Sequence, residues 1–126
     1  NYMVRLILSD RKGKVVTVND YMMRGDGTED FTAFNNVGKA QIKARRLSSK
    51  DGQQRYEITN NSRNIAMNLK FNLVNPENGE IILPAYFSDG YFHLLPGEKR
   101  IIEVASPSEG NISIEGYNVP QQIIIR

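Results

Sequence analysis

At 126 residues the chain has room for one domain, or for one domain and a fragment of another. An apolar fraction of 40% supports a sandwich core but no large catalytic lobe, and sixteen basic residues interspersed with fourteen acidic ones leave a net charge of +2. No basic face is therefore visible to hold a phosphate backbone, which argues against a nucleic-acid partner. Cysteine is absent, so disulfides and thiolate chemistry are excluded while the compartment stays open. No apolar run approaches the roughly 18 residues of a membrane span. The chain opens at Asn1 with neither an initiator Met nor a signal-like block, and reads as a piece excised from a longer protein.

Tyr2 to Leu8 reads as a strand, Asp10 to Lys14 as a turn, and Val15 to Val18 as the returning arm of a hairpin. Asn19 to Gly38 is different in character. Its Arg24-Gly25-Asp26-Gly27-Thr28-Glu29-Asp30 run is too polar and glycine-rich for a regular element, so the segment is expected to be a connector anchored by Phe31, Ala33 and Phe34. Gln41 to Leu47 is the next expected strand, with a turn over Ser48 to Gly52. Gln54 to Thr59 alternates cleanly with Tyr56 and Ile58 on the apolar side, and Asn60 to Asn64 turns the chain again.

The central stretch is Ile65 to Val74. Ile65, Met67, Leu69, Phe71 and Leu73 recur at a strict period of two, with Ala66, Asn68, Lys70 and Asn72 on the other face. Successive strand side chains point to opposite faces, so this pattern predicts a strand with one face buried. Such a strand needs a second layer over its apolar side. Asn75-Pro76-Glu77-Asn78-Gly79-Glu80 supplies the turn chemistry that follows. Ile81 to Phe87 is strand-like, but Pro84 donates no backbone hydrogen bond, which demotes it to an edge strand or a bulge. Tyr91 to Leu95, Lys99 to Ala105 and Ile112 to Tyr117 complete the set. The final Val119 to Arg126 carries a triple Ile that needs cover, as a last edge strand or against another molecule. Short β-rich runs with turn signals every 8–12 residues point to an all-β sandwich of about seven strands from residue 40.

Leu94-Leu95-Pro96-Gly97-Glu98, followed by a β-rich run and then Ile114-Glu115-Gly116-Tyr117-Asn118, resembles the C-terminal immunoglobulin-like domain of family 2 glycoside hydrolases, on the exo-β-glucosaminidase and β-mannosidase branch. Tyr117 stands where that pattern has Trp. Leu83 to Phe92 resembles the Leu-Pro-x-aromatic stretch ahead of the turn, and Asp30 to Asn35 the connector leaving the preceding immunoglobulin-like domain. The resemblance implies an immunoglobulin-like β-sandwich over 39–126, with 1–38 as the closing strands and connector of that preceding domain. It further implies a non-catalytic module that supports a separate (β/α)8 barrel in polysaccharide degradation. The other domains of the parent chain are then its partners, and a bacterial parent would be periplasmic or extracellular.

Candidate sites are few. A retaining glycosidase holds two carboxylates about 5–5.5 Å apart on a rigid scaffold, whereas most acids here fall in turns, where they cap and solubilise. No catalytic residue, metal ligand or cofactor is expected. His93 has no recognisable catalytic neighbour, and Asp26 to Asp30 lacks the spacing of a calcium loop. Arg24-Gly25-Asp26 matches an adhesion tripeptide in spelling alone. Asn60-Asn61-Ser62 and Asn111-Ile112-Ser113 match the glycosylation acceptor pattern. Among the aromatics Tyr86, Phe87, Tyr91 and Phe92, a glycan could stack on Tyr86, Tyr91 and Phe92, or alternate members could fill the core. An independent carbohydrate-binding module using those three is the rival reading to the accessory domain. The strand edges of 1–38 are expected to be poorly covered or to pair with a second copy as a homodimer.

Overall fold

The computed structural model describes residues 2–23 and 36–124, and their contacts divide the chain into two compact units, Asn1–Val37 and Gly38–Arg126. The first contains an antiparallel hairpin of β1 (Tyr2–Ser9) and β2 (Val15–Met23). The returning arm runs five residues past Val18, because Asn19 to Met23 pair in register with Leu6 to Tyr2. A bidentate ion pair between the register partners Arg5 and Asp20, at 2.8 and 3.1 Å, explains how Asp20 is held in a strand. Asp10 closes the turn by accepting the amides of Lys12 and Lys14. The acidic Asp26 to Asp30 stretch, the Arg24-Gly25-Asp26 tripeptide and the Asp30 to Asn35 connector lie outside the described residues.

The second unit is a sandwich of two four-stranded antiparallel sheets. One has the order β10-β9-β5-β7, from Val119–Ile124, Asn111–Gly116, Ala66–Val74 and Phe92–Leu94. The other has the order β3-β4-β8-β6, from Ile42–Lys50, Gln53–Asn60, Lys99–Ala105 and Tyr86–Phe87. Side chains alternate inward and outward along each strand. Tyr56, Ile58, Ile102 and Val104 thereby meet Leu69, Phe71, Leu73, Leu94, Ile112 and Ile114 in one buried cluster. The fold is the all-β, immunoglobulin-like sandwich anticipated above.

Two local outcomes differ from the sequence reading. The first concerns the start of the central strand. Asn68 adopts φ 52°, and the pairing of β5 with β7 slips there, so Met67 and Asn68 of β5 lie against the single residue His93 of β7. This bulge turns Ala66, expected outside, into the core opposite Leu94, and leaves Met67 buried but outside the core cluster. Secondly, β3 continues to Lys50, since the hairpin turn shrinks to Asp51 and Gly52 at φ 51° and 78°. A two-residue turn with both φ positive matches the twist of its strands. Ile81 to Phe87 follows the reading, yielding one isolated bridge, Val74 to Ile81, and a two-residue edge strand, with Pro84 between them supplying no donor.

Candidate functional site

Two turns carry the residues of the resemblance, and in both the polar groups are committed to the scaffold. In the first, the Leu95 amide donates to Glu98 Oε1 at 2.9 Å, and the Glu98 amide donates to the Leu95 carbonyl. The Gly97 amide donates to the Asn60 carbonyl, and the Asn60 amide to the Glu98 carbonyl. Asn60 is fully buried at the end of β4, where its Nδ2 donates to the carbonyls of Asn64 and Leu94. The side chain thereby ties the two sheets together, so the acceptor pattern at Asn60 is occupied by folding rather than open to modification.

The second turn joins β9 to β10. Tyr117 donates its amide to the Met67 carbonyl at 2.8 Å. A Cβ on Gly116 would stand 2.7 Å from that same carbonyl oxygen, so only glycine allows the approach. Asn118 then accepts the Met67 amide at Oδ1 and donates from Nδ2 to the carbonyls of Gly38 and Ile65, at 2.8 and 2.7 Å. The Gly-Tyr-Asn sequence is a clamp that fixes the start of the unit against β5 and the β9–β10 hairpin.

Several of the described carboxylates stand beside an arginine. Asp20, Glu57, Asp89 and Glu103 pair with Arg5, Arg45, Arg100 and Arg55. Glu98 caps its own turn. Among the described residues no group of three or more His, Asp or Glu is placed to hold a metal ion. His93 is half-buried on β7, and its Nδ1 accepts the amide of the bulged Asn68 at 3.1 Å.

Strand alternation separates the aromatic set. Phe92, one of the three candidate rings for a glycan, is instead a core member, 6% exposed. One side of its ring stacks on Phe71 with centroids 5.4 Å apart, and the Arg100 guanidinium lies 4.3 Å from its centroid. Neither face of Phe92 is open to a sugar. Phe87 packs inward with it, 6.2 Å from Phe71. Tyr86 and Tyr91 point the other way, at 70% and 72% exposure.

Tyr86 borders an open cleft of about 580 Å³ on the outer side of the β3-β4-β8-β6 sheet, within the range of small-ligand sites. The register runs Tyr86 to Ala105 to Gln53 across three strands, and Glu103 to Arg55 beside it. Tyr91 stands in the turn before β7, outside this cleft. A second cleft of about 410 Å³ lies where the edge strands β3 and β10 meet, crossed by a hydrogen bond from Gln122 Nε2 to the Ile42 carbonyl.

Comparison with known proteins agrees with this reading. The family model described as the exo-β-D-glucosaminidase Ig-fold domain matches residues 20–119. The chain is 26% identical to an exo-β-D-glucosaminidase of Arthroderma benhamiae, over 96% of its own length and 16% of that protein's. It superimposes on the crystal structure of Amycolatopsis orientalis exo-chitosanase CsxA with a TM-score of 0.75 and 21% identity, covering 99% of this chain and 18% of that one. A structure of the exo-β-D-glucosaminidase CsxA with a glucosamine-configured castanospermine gives a TM-score of 0.76 at the same identity. The chain thus spans less than a fifth of the proteins it matches. With a sandwich fold, two family turns spent on structure and a family model covering most of its length, this chain belongs to the exo-β-D-glucosaminidase Ig-fold domain family of glycoside hydrolase family 2.

Proposed function

We propose that this chain is the non-catalytic accessory sandwich of a larger exo-β-D-glucosaminidase, where it buttresses a catalytic barrel carried elsewhere in the polypeptide. The observation that supports this most strongly is the fate of the family residues. Gly97, Glu98, Gly116, Tyr117 and Asn118 all close turns or bridge sheets through the hydrogen bonds described above. A curated relative named for glucosaminidase activity favours that specificity over β-mannosidase. The role is stability and placement, with the bond-breaking acids on another domain.

The first unit fits the same reading. Its hairpin exposes Leu6, Ile7, Leu8 and Val16 by more than half. Apolar surface of that extent is normally covered, and the closing strands of a preceding immunoglobulin-like domain would be covered by the rest of that domain. A polymeric substrate would place the parent enzyme outside the cytoplasm. Deleting 38–126 from the parent enzyme is the test. The expected result is a large fall in thermal stability, with substrate preference unchanged in whatever enzyme stays folded. A truncated enzyme of unchanged stability would overturn the buttress role.

A further inference from the structure

The outer face of the β3-β4-β8-β6 sheet carries a feature that the supporting role does not require. Three strands distant in sequence put Tyr86, Ala105 and Gln53 in one cross-strand row, with Ser88, Glu103 and Arg55 on the same face one step along. Ala105 is the small member, so the row dips between the Tyr86 ring and the Gln53 amide, and the cleft of about 580 Å³ opens there. Arg55 Nε and Glu103 Oε1 stand 3.4 Å apart, and both side chains are half-exposed or more.

We infer that this cleft is a binding site for β-linked oligosaccharides of pyranoses with equatorial hydroxyls. A β-linked pyranose of this type presents a flat C–H face and a rim of adjacent hydroxyls. The open face of Tyr86 takes the first, as aromatic rings do for apolar faces. The Arg55–Glu103 pair takes the second, since a guanidinium donates to one hydroxyl while a carboxylate accepts from its neighbour. The spacing suits the chemistry. Adjacent strands stand about 4.8 Å apart and alternate residues of one strand about 6.8 Å, so ring and ion pair are separated by ~8–12 Å, the span of two sugar rings.

The platform is also held in place before any ligand arrives. Ser88 donates its amide to the Glu103 carbonyl at 2.9 Å, while its Oγ accepts the Glu103 amide at 2.8 Å. On the other side of Tyr86, Ser106 Oγ donates to the Pro84 carbonyl at 2.8 Å. A two-residue edge strand clamped at both ends holds the backbone that carries the ring, which lowers the ordering cost of binding. Lys50 and Asp51 close the far end of the cleft and leave its local charge balanced, so the site suits neutral as well as amino sugars. The site stands on this geometry alone. Only the inclusion of glucosamine oligomers among the probes follows from the accessory-domain reading.

The experiment is an amide chemical-shift titration of the 126-residue chain with the β-1,4-linked tetramers of glucosamine, N-acetylglucosamine and glucose. Concentrations reach roughly 10 mM, where a shallow open site fills. Shifts should cluster at Tyr86, Ser88, Gln53, Arg55 and Glu103. Tyr86→Ala should weaken binding at least ten-fold and Glu103→Gln several-fold, while Tyr91→Ala, equally exposed but outside the cleft, leaves it unchanged. Binding of all three tetramers assigns recognition to the ring face and hydroxyls. Binding of the glucosamine tetramer alone assigns it to the Glu103 carboxylate, and both results support the site. No shift with any tetramer, or binding that Tyr86→Ala leaves intact in a folded chain, overturns it.

Discussion

Asn118→Ala is the substitution that most sharply separates a structural role of the family turn from a functional one. The side chain makes three hydrogen bonds, one to the buried Met67 amide and two to the Gly38 and Ile65 carbonyls. Removing it strands the Met67 donor at a cost of about 1–3 kcal/mol, and forfeits about 0.5–1.5 kcal/mol for each partly buried carbonyl. These contributions overlap, and a loss of about 3 kcal/mol is expected. For a domain of 60–100 residues each kcal/mol shifts the midpoint by about 4–8 °C, so thermal unfolding followed by circular dichroism should show a fall of ~12–24 °C. Asn118→Asp provides the internal check. It keeps the acceptor for Met67 and the shape of the side chain, but turns a lone-pair-bearing oxygen toward two carbonyl oxygens. It should therefore be at least as damaging as alanine, whereas Tyr117→Ala, at a half-exposed side chain, should cost under about 1 kcal/mol. An Asn118→Asp protein as stable as the parent, or an Asn118→Ala loss below about 1 kcal/mol, would refute the clamp.

Gly116→Ala should lose about 1–3 kcal/mol in urea unfolding, because its Cβ would press on the Met67 carbonyl and on Leu69 and Val119. Leu69→Ala, at a fully buried position between the sheets, should lose about 2.7–5 kcal/mol by the same measurement. The apolar hairpin should make the 126-residue chain self-associate through the first unit. Light scattering across a concentration series should detect this, and replacing Leu6 and Leu8 with Ser should abolish it. Expressed in a glycosylating host, the folded chain should carry no glycan on Asn60, which peptide mass mapping would show.

The strands were legible where a single face decides the matter. Lys99–Ala105 falls where alternation put it, and Met67, Leu69, Phe71 and Leu73 are all buried. Legibility failed where local geometry breaks the period. The bulge at Asn68 brings Ala66 into the core cluster and leaves Met67 buried outside it, and an Asn in the left-handed region leaves no mark in a hydrophobic pattern. Asn19 to Met23 reads as polar connector because the Arg5–Asp20 pair that makes Asp20 acceptable in a strand joins residues fifteen apart. In the aromatic run, alternation alone leaves open which rings face out. The tertiary contacts of Phe71 and Arg100 decide it, taking Phe92 inward and leaving Tyr86 outside. The cleft itself could not be read from the chain, since the sheet order β4-β8-β6 brings Gln53, Ala105 and Tyr86 together from three separated segments. The Gly-Tyr-Asn turn showed the opposite case, where a resemblance pointed to the right residues and only the hydrogen bonds revealed what they do.

The proposed accessory role, in which this chain would support catalysis and perform none, is tested most directly by its own turnover. Purified 126-residue chain, incubated at high concentration with aryl β-D-glucosaminide and aryl β-mannoside, should release phenol no faster than buffer. Release proportional to protein concentration, and retained in a preparation free of contaminating enzyme, would contradict the account.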